Sequence, residues 1–339
     1  MSLNQAAFPL AESLVGRADD CGVAWHETAG VRIADCGVRA PGSVGAGLVM
    51  AQAALAGLGT VRLTAAGPGA FGPAWPDCPW PVVSVASDAP VAACLAAQYA
   101  GWKVHAGDYF AMASGPIRAA IGREDLFAVI GMRERSAVAV GILEAARLPP
   151  EDVCRQLAAD AGVPPAAVIL LVARTASPAG TLQVVARSLE TAIHKLHDLR
   201  FDLGRIRRGR GVAPLPPVPF TPSAAGPKPD DLAAIGRTND AILYGGHVTL
   251  EVEGPEADLL AIGPRMVSAA SPAFGEPFLR LFERAGSDFY AIDPALFAPA
   301  VVDLVSTATG RTHRFGRIVP EIVARSFGPT AAPTAAAGG

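Results

Sequence analysis

The chain has 339 residues, a formal net charge of −3 at pH 7 and an apolar fraction of 51 %, much of it alanine. That length accommodates one large or two ordinary domains with a substantial core, and the slight acidity argues against a general nucleic-acid or anionic-membrane binder. The longest apolar run, Ala166 to Ala173, falls far short of the ~20 residues that span a bilayer. Met1 to Leu14 has no basic start and carries Glu12, unlike a signal peptide, so the expectation is a soluble, cytoplasmic protein.

In chain order, Val23 to Ile33 reads as a hairpin turning at Thr28-Ala29-Gly30. Ala40-Pro41-Gly42-Ser43 opens a small-residue helix that runs through Met50 to about Leu58, with Gly57 and Gly59 at its stop. Val61 to Ala65 is a short strand, and Gly67 to Pro81 a loop that Trp75 and Trp80 pack down. A buried strand at Pro81 to Ala86 and a helix from Pro90 to Tyr99 follow. Leu126 to Ile130 and Ala137 to Val140 read as strands, Glu151 to Ala159 as a helix and Ala167 to Val172 as a buried strand. Ala176 to Gly180 is a loop leading into a helix over Val184 to His197.

Leu203 to Asp231 is the clearest change of composition. Four arginines (Arg205, Arg207, Arg208, Arg210) precede a proline-rich run, which reads as an extended crossing loop or inter-domain connector. Beyond it come a helix at Asp231 to Ile235, strands at Ala241 to Tyr244 and Val248 to Val252, and helices near Phe274 to Ala285 and Pro320 to Ser326. Pro329 to Gly339 is expected to be a disordered tail. Mixed strands and helices without a βαβ period predict an α+β fold. The expected division is one α+β domain from 1–80 plus 200–328 and a second from 81–199. Five cysteines (Cys21, Cys36, Cys78, Cys94, Cys154) show no CxxC pair and are expected to be isolated buried thiols.

The helix over 184–197 carries the sharpest chemistry. At ~100° per residue, Arg187, Glu190, His194 and His197 share one side, and Val185, Leu189, Ile193 and Leu196 another. Glu190 could deprotonate a water while Arg187 fixes it and favours its ionised form; the same spacing also describes an ordinary surface ion pair. Glu190, His194 and His197 allow a metal-dependent hydrolase as an alternative, although positions this far apart spread over ~10 Å of helix axis. A second segment, Gly107-Asp108-Tyr109-Phe110-Ala111-Met112-Ala113-Ser114-Gly115-Pro116, is either a plain folded loop or a ligand loop with close backbone approach and stacking aromatics. In a third, Gly236-Arg237-Thr238-Asn239-Asp240-Ala241-Ile242-Leu243-Tyr244-Gly245-Gly246, Asn239 and Asp240 suit a tight turn or the donor–acceptor edge of a pterin-like ring. The chain has no Walker A loop, Gly-x-Ser-x-Gly elbow or His-Glu-x-x-His, which leaves nucleotide cofactors and a serine nucleophile without support.

These three segments, in order and together with the Ala40-Pro41-Gly42-Ser43 helix entry, resemble motifs of the methenyltetrahydromethanopterin cyclohydrolase family from about residue 10 to 325. The resemblance implies reversible hydrolysis of the 5,10-methenyl group on tetrahydromethanopterin to the 5-formyl derivative. It also implies two α+β domains with a substrate pocket between them, a homotrimer, and no metal or redox cofactor. The family's catalytic arginine and glutamate match Arg187 and Glu190, and Asp108, Tyr109, Ser114, Arg237, Thr238, Asn239 and Asp240 are expected to bind substrate. An Ala-, Pro- and Arg-rich composition suggests a GC-rich bacterial genome, where the step would serve formaldehyde oxidation in one-carbon metabolism on a dephospho form of the carrier. Besides the metal-dependent hydrolase, a non-catalytic pterin-binding protein is the remaining alternative.

Overall fold

The computed structural model describes residues 2–223 and 226–328; the expected tail at 329–339 lies outside them. The first hairpin follows from its turn. Ala29 and Gly30 adopt left-handed backbone, at φ 52° and 80°, which suits the right-handed twist of the flanking strands. It joins β1 (Ala24–Thr28) to β2 (Val31–Asp35). β2 runs parallel to β8 (Val168–Ala173) and β8 parallel to β7 (Ala139–Glu144), while β6 (Tyr109–Ser114) and the edge strand β5 (Trp102–Ala106) continue the sheet antiparallel. β8 is apolar at every position because both faces of the sheet are covered. Val168, Leu170 and Val172 enter one core with α6 (Glu151–Ala161), whereas Ile169 and Leu171 enter another with α1 (Leu3–Glu12) and α3 (Val44–Ala54).

The second sheet has the order β14 (Thr312–Gly316), β13 (Val301–Ser306), β12 (His247–Val252), β9 (Ile206–Pro214), β4 (Val82–Ser87), β3 (Gly59–Thr64). Only β12 and β13 pair in parallel within it. Its core takes residues from α9 (Asp231–Leu243), α10 (Glu256–Ile262), α11 (Phe278–Arg284) and α12 (Pro320–Phe327). Three small features complete the chain. α2 (Ala18–Cys21) buries Cys21 beside α3, α4 (Ile117–Ile121) and α5 (Leu126–Ile130) fill the β6–β7 connection, and β10 (Phe220–Thr221) pairs with β11 (Lys228–Pro229). All five cysteines are free and buried. Phe71, Trp75, Trp80 and Phe327 stack edge-on in series, which fixes the long loop before β4.

The fold is α+β, with mixed sheets and helices packed against them. Residues 24–35 and 102–173 form the first sheet, and 59–87 and 206–316 the second. The division expected from the sequence therefore separates β1 and β2 from the sheet they complete, and β4 from its own. A hairpin signal is local and carries no information about which third strand it will meet. The chain crosses between the sheets three times: through α3, through a π-helix at Val91–Gln98, and through α7 (Pro178–Val185) with α8 (Ser188–Asp198).

Several elements differ from the sequence expectation. Leu126 to Ile130 is a single helical turn, closed by Gly131 at φ 66°, because a short apolar run does not distinguish strand from helix. Ala241 to Tyr244 is not a strand, since α9 runs on through Leu243. The segment 107–116 is not a loop but the turn and second strand of the β5–β6 hairpin. The arginine-rich connector is also a strand: β9 lies between β4 and β12 with Arg208 and Arg210 exposed and Gly209 and Gly211 buried.

These two glycines seat α8. A Cβ on Gly211 would lie 2.5 Å from Ser188 Oγ and 2.7 Å from Leu189 N, and one on Gly209 would lie 2.6 Å from Leu189 Cδ1. Only a bare strand lets the start of α8 come this close. Gly211→Val is therefore expected to cost about 1–3 kcal/mol by overpacking and to displace the start of α8, measured as a lower denaturation midpoint together with lost activity. An unchanged midpoint would contradict this packing.

Candidate active site

The helix expected over 184–197 is two helices with a joint. Ser177 caps α7, its Oγ accepting the Gly180 N–H at 3.0 Å. α7 ends at Val185, and Arg187 leaves helical geometry at φ −88°, ψ 6° before α8 begins. The Arg187 carbonyl still accepts the Thr191 N–H at 2.9 Å, so α8 starts without a gap.

The joint drives Arg187 inward, where it is 7 % exposed. Its guanidinium donates to the Gln98 carbonyl, to Ser114 Oγ at 2.9 Å and to Gln183 Oε1 at 3.1 Å. Burial lowers its pKa, and the charges of Glu190 and Glu144 act against that. Gln98 is the last residue of the π-helix, an irregularity common at functional sites. Its Nε2 donates to the Ala186 carbonyl at 3.1 Å, so one residue holds both sides of the joint.

Glu190 lies in the first turn of α8, also 7 % exposed. Among the described residues its carboxylate has neither a hydrogen-bond nor an ion-pair partner, yet its oxygens are not among the fully enclosed polar atoms. Burial pushes its pKa up to about 7, against the lowering pull of Arg187 and Arg118 and with a further raising effect from Asp198. The surface ion-pair reading thus fails on both counts: the two residues are buried, and Arg187 donates to Gln98, Ser114 and Gln183 and not to Glu190. What the geometry provides is a carboxylate poised to exchange a proton near neutrality, beside a fixed cation.

Arg118 supports this arrangement from α4. It is 1 % exposed, grips Glu124 through Nε and Nη2 at 2.9 and 2.8 Å, and donates from Nη1 to the Leu95 carbonyl at 2.9 Å. It thereby pins the π-helix that presents Gln98. Its guanidinium also lies 5.1 Å from the Tyr99 ring centre, and Tyr99 stacks on His194 at 4.4 Å. On the other side, Glu144 at the end of β7 accepts from Thr175 Oγ1 and from Gln183 Nε2, the latter at 3.3 Å. Gln98, Arg118, Glu144, Thr175 and Gln183 were not singled out in the sequence. For Gln98, Arg118, Glu144 and Gln183 the signal is a polar residue among apolar neighbours, and Thr175 has none in its polar stretch Arg174 to Ser177.

The expected substrate-binding residues separate. Ser114 touches Arg187. Tyr109, five positions earlier on the same strand, faces the opposite side and packs beneath α6, 2 % exposed. Asp108 sits in the preceding turn, exposed and paired with Arg147 at 2.8 Å. Arg237, Thr238, Asn239 and Asp240 lie inside α9, not in a turn. Arg237 donates to the Pro217 carbonyl at 2.9 Å, Thr238 to Ala234 at 2.9 Å and Asn239 to Ile235 at 2.9 Å, while Asp240 accepts the Phe278 N–H at 2.8 Å. None of the four has a hydrogen bond to Arg187 or Glu190.

The metal alternative has no ligand set: among the described residues no three His, Cys, Asp or Glu side chains are grouped to hold an ion. His194 is stacked on Tyr99, 6.1 Å from the His197 ring. Two grooves, of about 710 and 570 Å³, flank the C-terminal end of α8 and share Val129, His197 and Arg200. The larger runs between α5 residues such as Leu126 and the turn before β13 at Asp293 to Ala295, and neither is lined by Arg187 or Glu190.

Comparison with known proteins bears on the whole chain. Residues 2–327 match the family described as Cyclohydrolase (MCH). A protein named methenyltetrahydromethanopterin cyclohydrolase from a Methylobacterium species is 44 % identical over 96 % of this chain and 97 % of its own length. Proteins of the same name from Rhodopirellula baltica and Methanospirillum hungatei are 42 % and 37 % identical, covering 88 % and 97 % of this chain and 87 % and 99 % of their own. Similarity of this depth spans both sheets and the three crossings between them, and the chain that carries the Arg187–Glu190 joint belongs to the cyclohydrolase (MCH) family.

Proposed function

We propose that this chain hydrolyses the cyclic bridge of 5,10-methenyltetrahydromethanopterin to the 5-formyl derivative, reversibly, with Glu190 as the proton acceptor for the attacking water. The observation that carries this reading is a carboxylate buried without a partner and raised to about pH 7, in a chain whose relatives are named for this reaction.

The methenyl carbon lies between two nitrogens in an amidinium-like cation and is already electrophilic. The enzyme therefore has to supply a placed water, a proton acceptor and a fixed field. Water forms the new C–O bond as Glu190 takes one of its protons. The C–N10 bond then breaks, Glu190 returns that proton to N10, and the remaining hydroxyl proton leaves as the formyl C=O forms. Ionised Glu190 also favours the cationic substrate over the neutral product. Arg187, immobilised by three acceptors, stabilises charge that develops on the oxygen during addition and collapse. Neither a metal nor a redox cofactor enters the steps. The setting in formaldehyde oxidation, a homotrimer and a cytoplasmic location belong to the same proposal; among the described residues no helix is long and apolar enough to cross a membrane.

Loss of the methenyl absorbance on adding chelator-treated protein is the direct test. Binding without any absorbance change would instead identify a non-catalytic pterin-binding protein, and activity lost with the chelator and regained with metal would restore the metal-dependent reading. Glu190→Gln is expected to reduce turnover at least about a hundredfold while substrate still binds. Arg187→Lys is also expected to be damaging, since a point-charge ammonium cannot engage three acceptors from a planar fork.

Two consequences of the raised pKa follow with definite sign. kcat/KM should rise with pH through about 7 as free Glu190 ionises, and the kcat limb should fall at lower pH because the cationic substrate favours the carboxylate. A flat profile would remove Glu190 from the reaction. For stability, folded Glu190 holds its proton up to about pH 7 whereas the unfolded group releases it near 4.5. Its charge therefore costs nothing below 4.5, and the cost grows with pH until it is complete above about 7. Glu190→Gln should raise Tm above pH 7 and lose that advantage toward pH 4.5; a lowered Tm above pH 7 would show that the charged group is stabilised.

A further inference from the structure

Arg187 and Glu190 are three residues apart, opposite in charge and both removed from water. At this spacing and in this dielectric they attract strongly, yet they do not touch. The guanidinium is held off by the Gln98 carbonyl, Ser114 Oγ and Gln183 Oε1. The first of these is fixed by the pinned π-helix and the second by a strand end. The third is a primary amide that can rotate, and rotation would present Nε2 to Arg187, a donor facing a donor.

Glu144 anchors that amide through its Nε2, and Arg187 engages its Oε1. The two Glu144 oxygens accept from Thr175 Oγ1 and Gln183 Nε2, and with Nε2 engaged there, Gln183 Oε1 is left facing Arg187, which donates to it at 3.1 Å. Along Thr175–Glu144–Gln183–Arg187–Ser114, Glu144 accepts from both of its neighbours and Arg187 donates to both of its own, so an acceptor at residue 144 is matched through the Gln183 amide to a donor at 187. We propose that Glu144 is a positioning residue which, through Gln183, keeps Arg187 off Glu190 and so preserves Glu190 as a base instead of one half of an ion pair.

The inference rests on the proposed role of Glu190, and its test separates the two. Around Glu190 the charged and titratable groups are Arg187, Arg118 from α4, Asp198 from α8, and Tyr99 and Cys94 from the π-helix region; Arg187 faces Glu190, Glu144 and Arg118. Glu144→Met and Gln183→Met each remove the link and leave every other group in this set in place. In either background Arg187 should turn to Glu190, so that adding Glu190→Gln lowers Tm above pH 7, the reverse of its effect in the parent protein. The kcat/KM limb should also move to lower pH by about one unit or more, as expected for a new ion pair. Simple loosening of the site would hydrate Glu190 and shrink the Glu190→Gln effect toward zero without reversing it, which would also overturn the proposal. The same rise in Tm on Glu190→Gln in both backgrounds, with an unmoved limb, would overturn the proposal. The Tm comparison needs no turnover, so it remains decisive even if Glu190 proves not to be the base.

Discussion

A carboxylate withdrawn from water is ordinarily paired or neutral, because an isolated buried charge is costly. Glu190 is neither paired nor sealed away, and its proton affinity lies near neutrality. The rest of the site can be understood as the means of maintaining that condition. Arg187 is near enough to influence Glu190 but directs three of its five N–H donors elsewhere. Arg118, which also pulls on Glu190 electrostatically, is neutralised by its grip on Glu124. A carboxylate in this condition is destabilising to the fold and, in the role proposed for Glu190, useful to the reaction, the usual exchange at an active site.

The architecture makes the arrangement possible because all three crossings between the sheets converge. α3 packs closely on α7, where a Cβ at Gly47 would lie 3.0 Å from Ala179 Cα. The π-helix brings Gln98 to the α7–α8 joint, and α8 is pressed onto β9 at two glycines. Crossing segments are anchored at both ends by different sheets, so small displacements of one sheet against the other are felt at Arg187. Arg174 and Asp231, paired at 2.6 Å, tie the end of β8 to the start of α9 and oppose such displacement.

Much of this was legible from the residues. Arg187 and Glu190 stood out by type and spacing, and Ser114 by its place in an ordered motif; the hairpin, the capped small-residue helix and the all-apolar β8 were each readable from local rules. What stayed hidden has physical causes. The break at Arg187 is invisible to periodicity, since one non-helical residue leaves the i, i+3 spacing intact. β9 was obscured by its charges, although Arg208-Gly209-Arg210-Gly211 alternates with the period of a strand. Tyr109 and Ser114 were grouped by nearness in sequence, but an odd separation along a strand puts them on opposite faces. Arg237 to Asp240 read as a turn because Asn and Asp favour turns locally, whereas Thr238 and Asn239 satisfy their side chains on carbonyls within α9. Glu144 and Gln183 could be found only once β7 and α7 were seen side by side.

The central claim, that Glu190 is a buried and unpaired carboxyl group, is tested most directly by infrared difference spectroscopy of the substrate-free protein. The protonated carboxyl C=O band that disappears in Glu190→Gln should titrate with a midpoint near pH 7. A midpoint near the ordinary 4.5 would mean that the group is hydrated or paired, and would contradict the account.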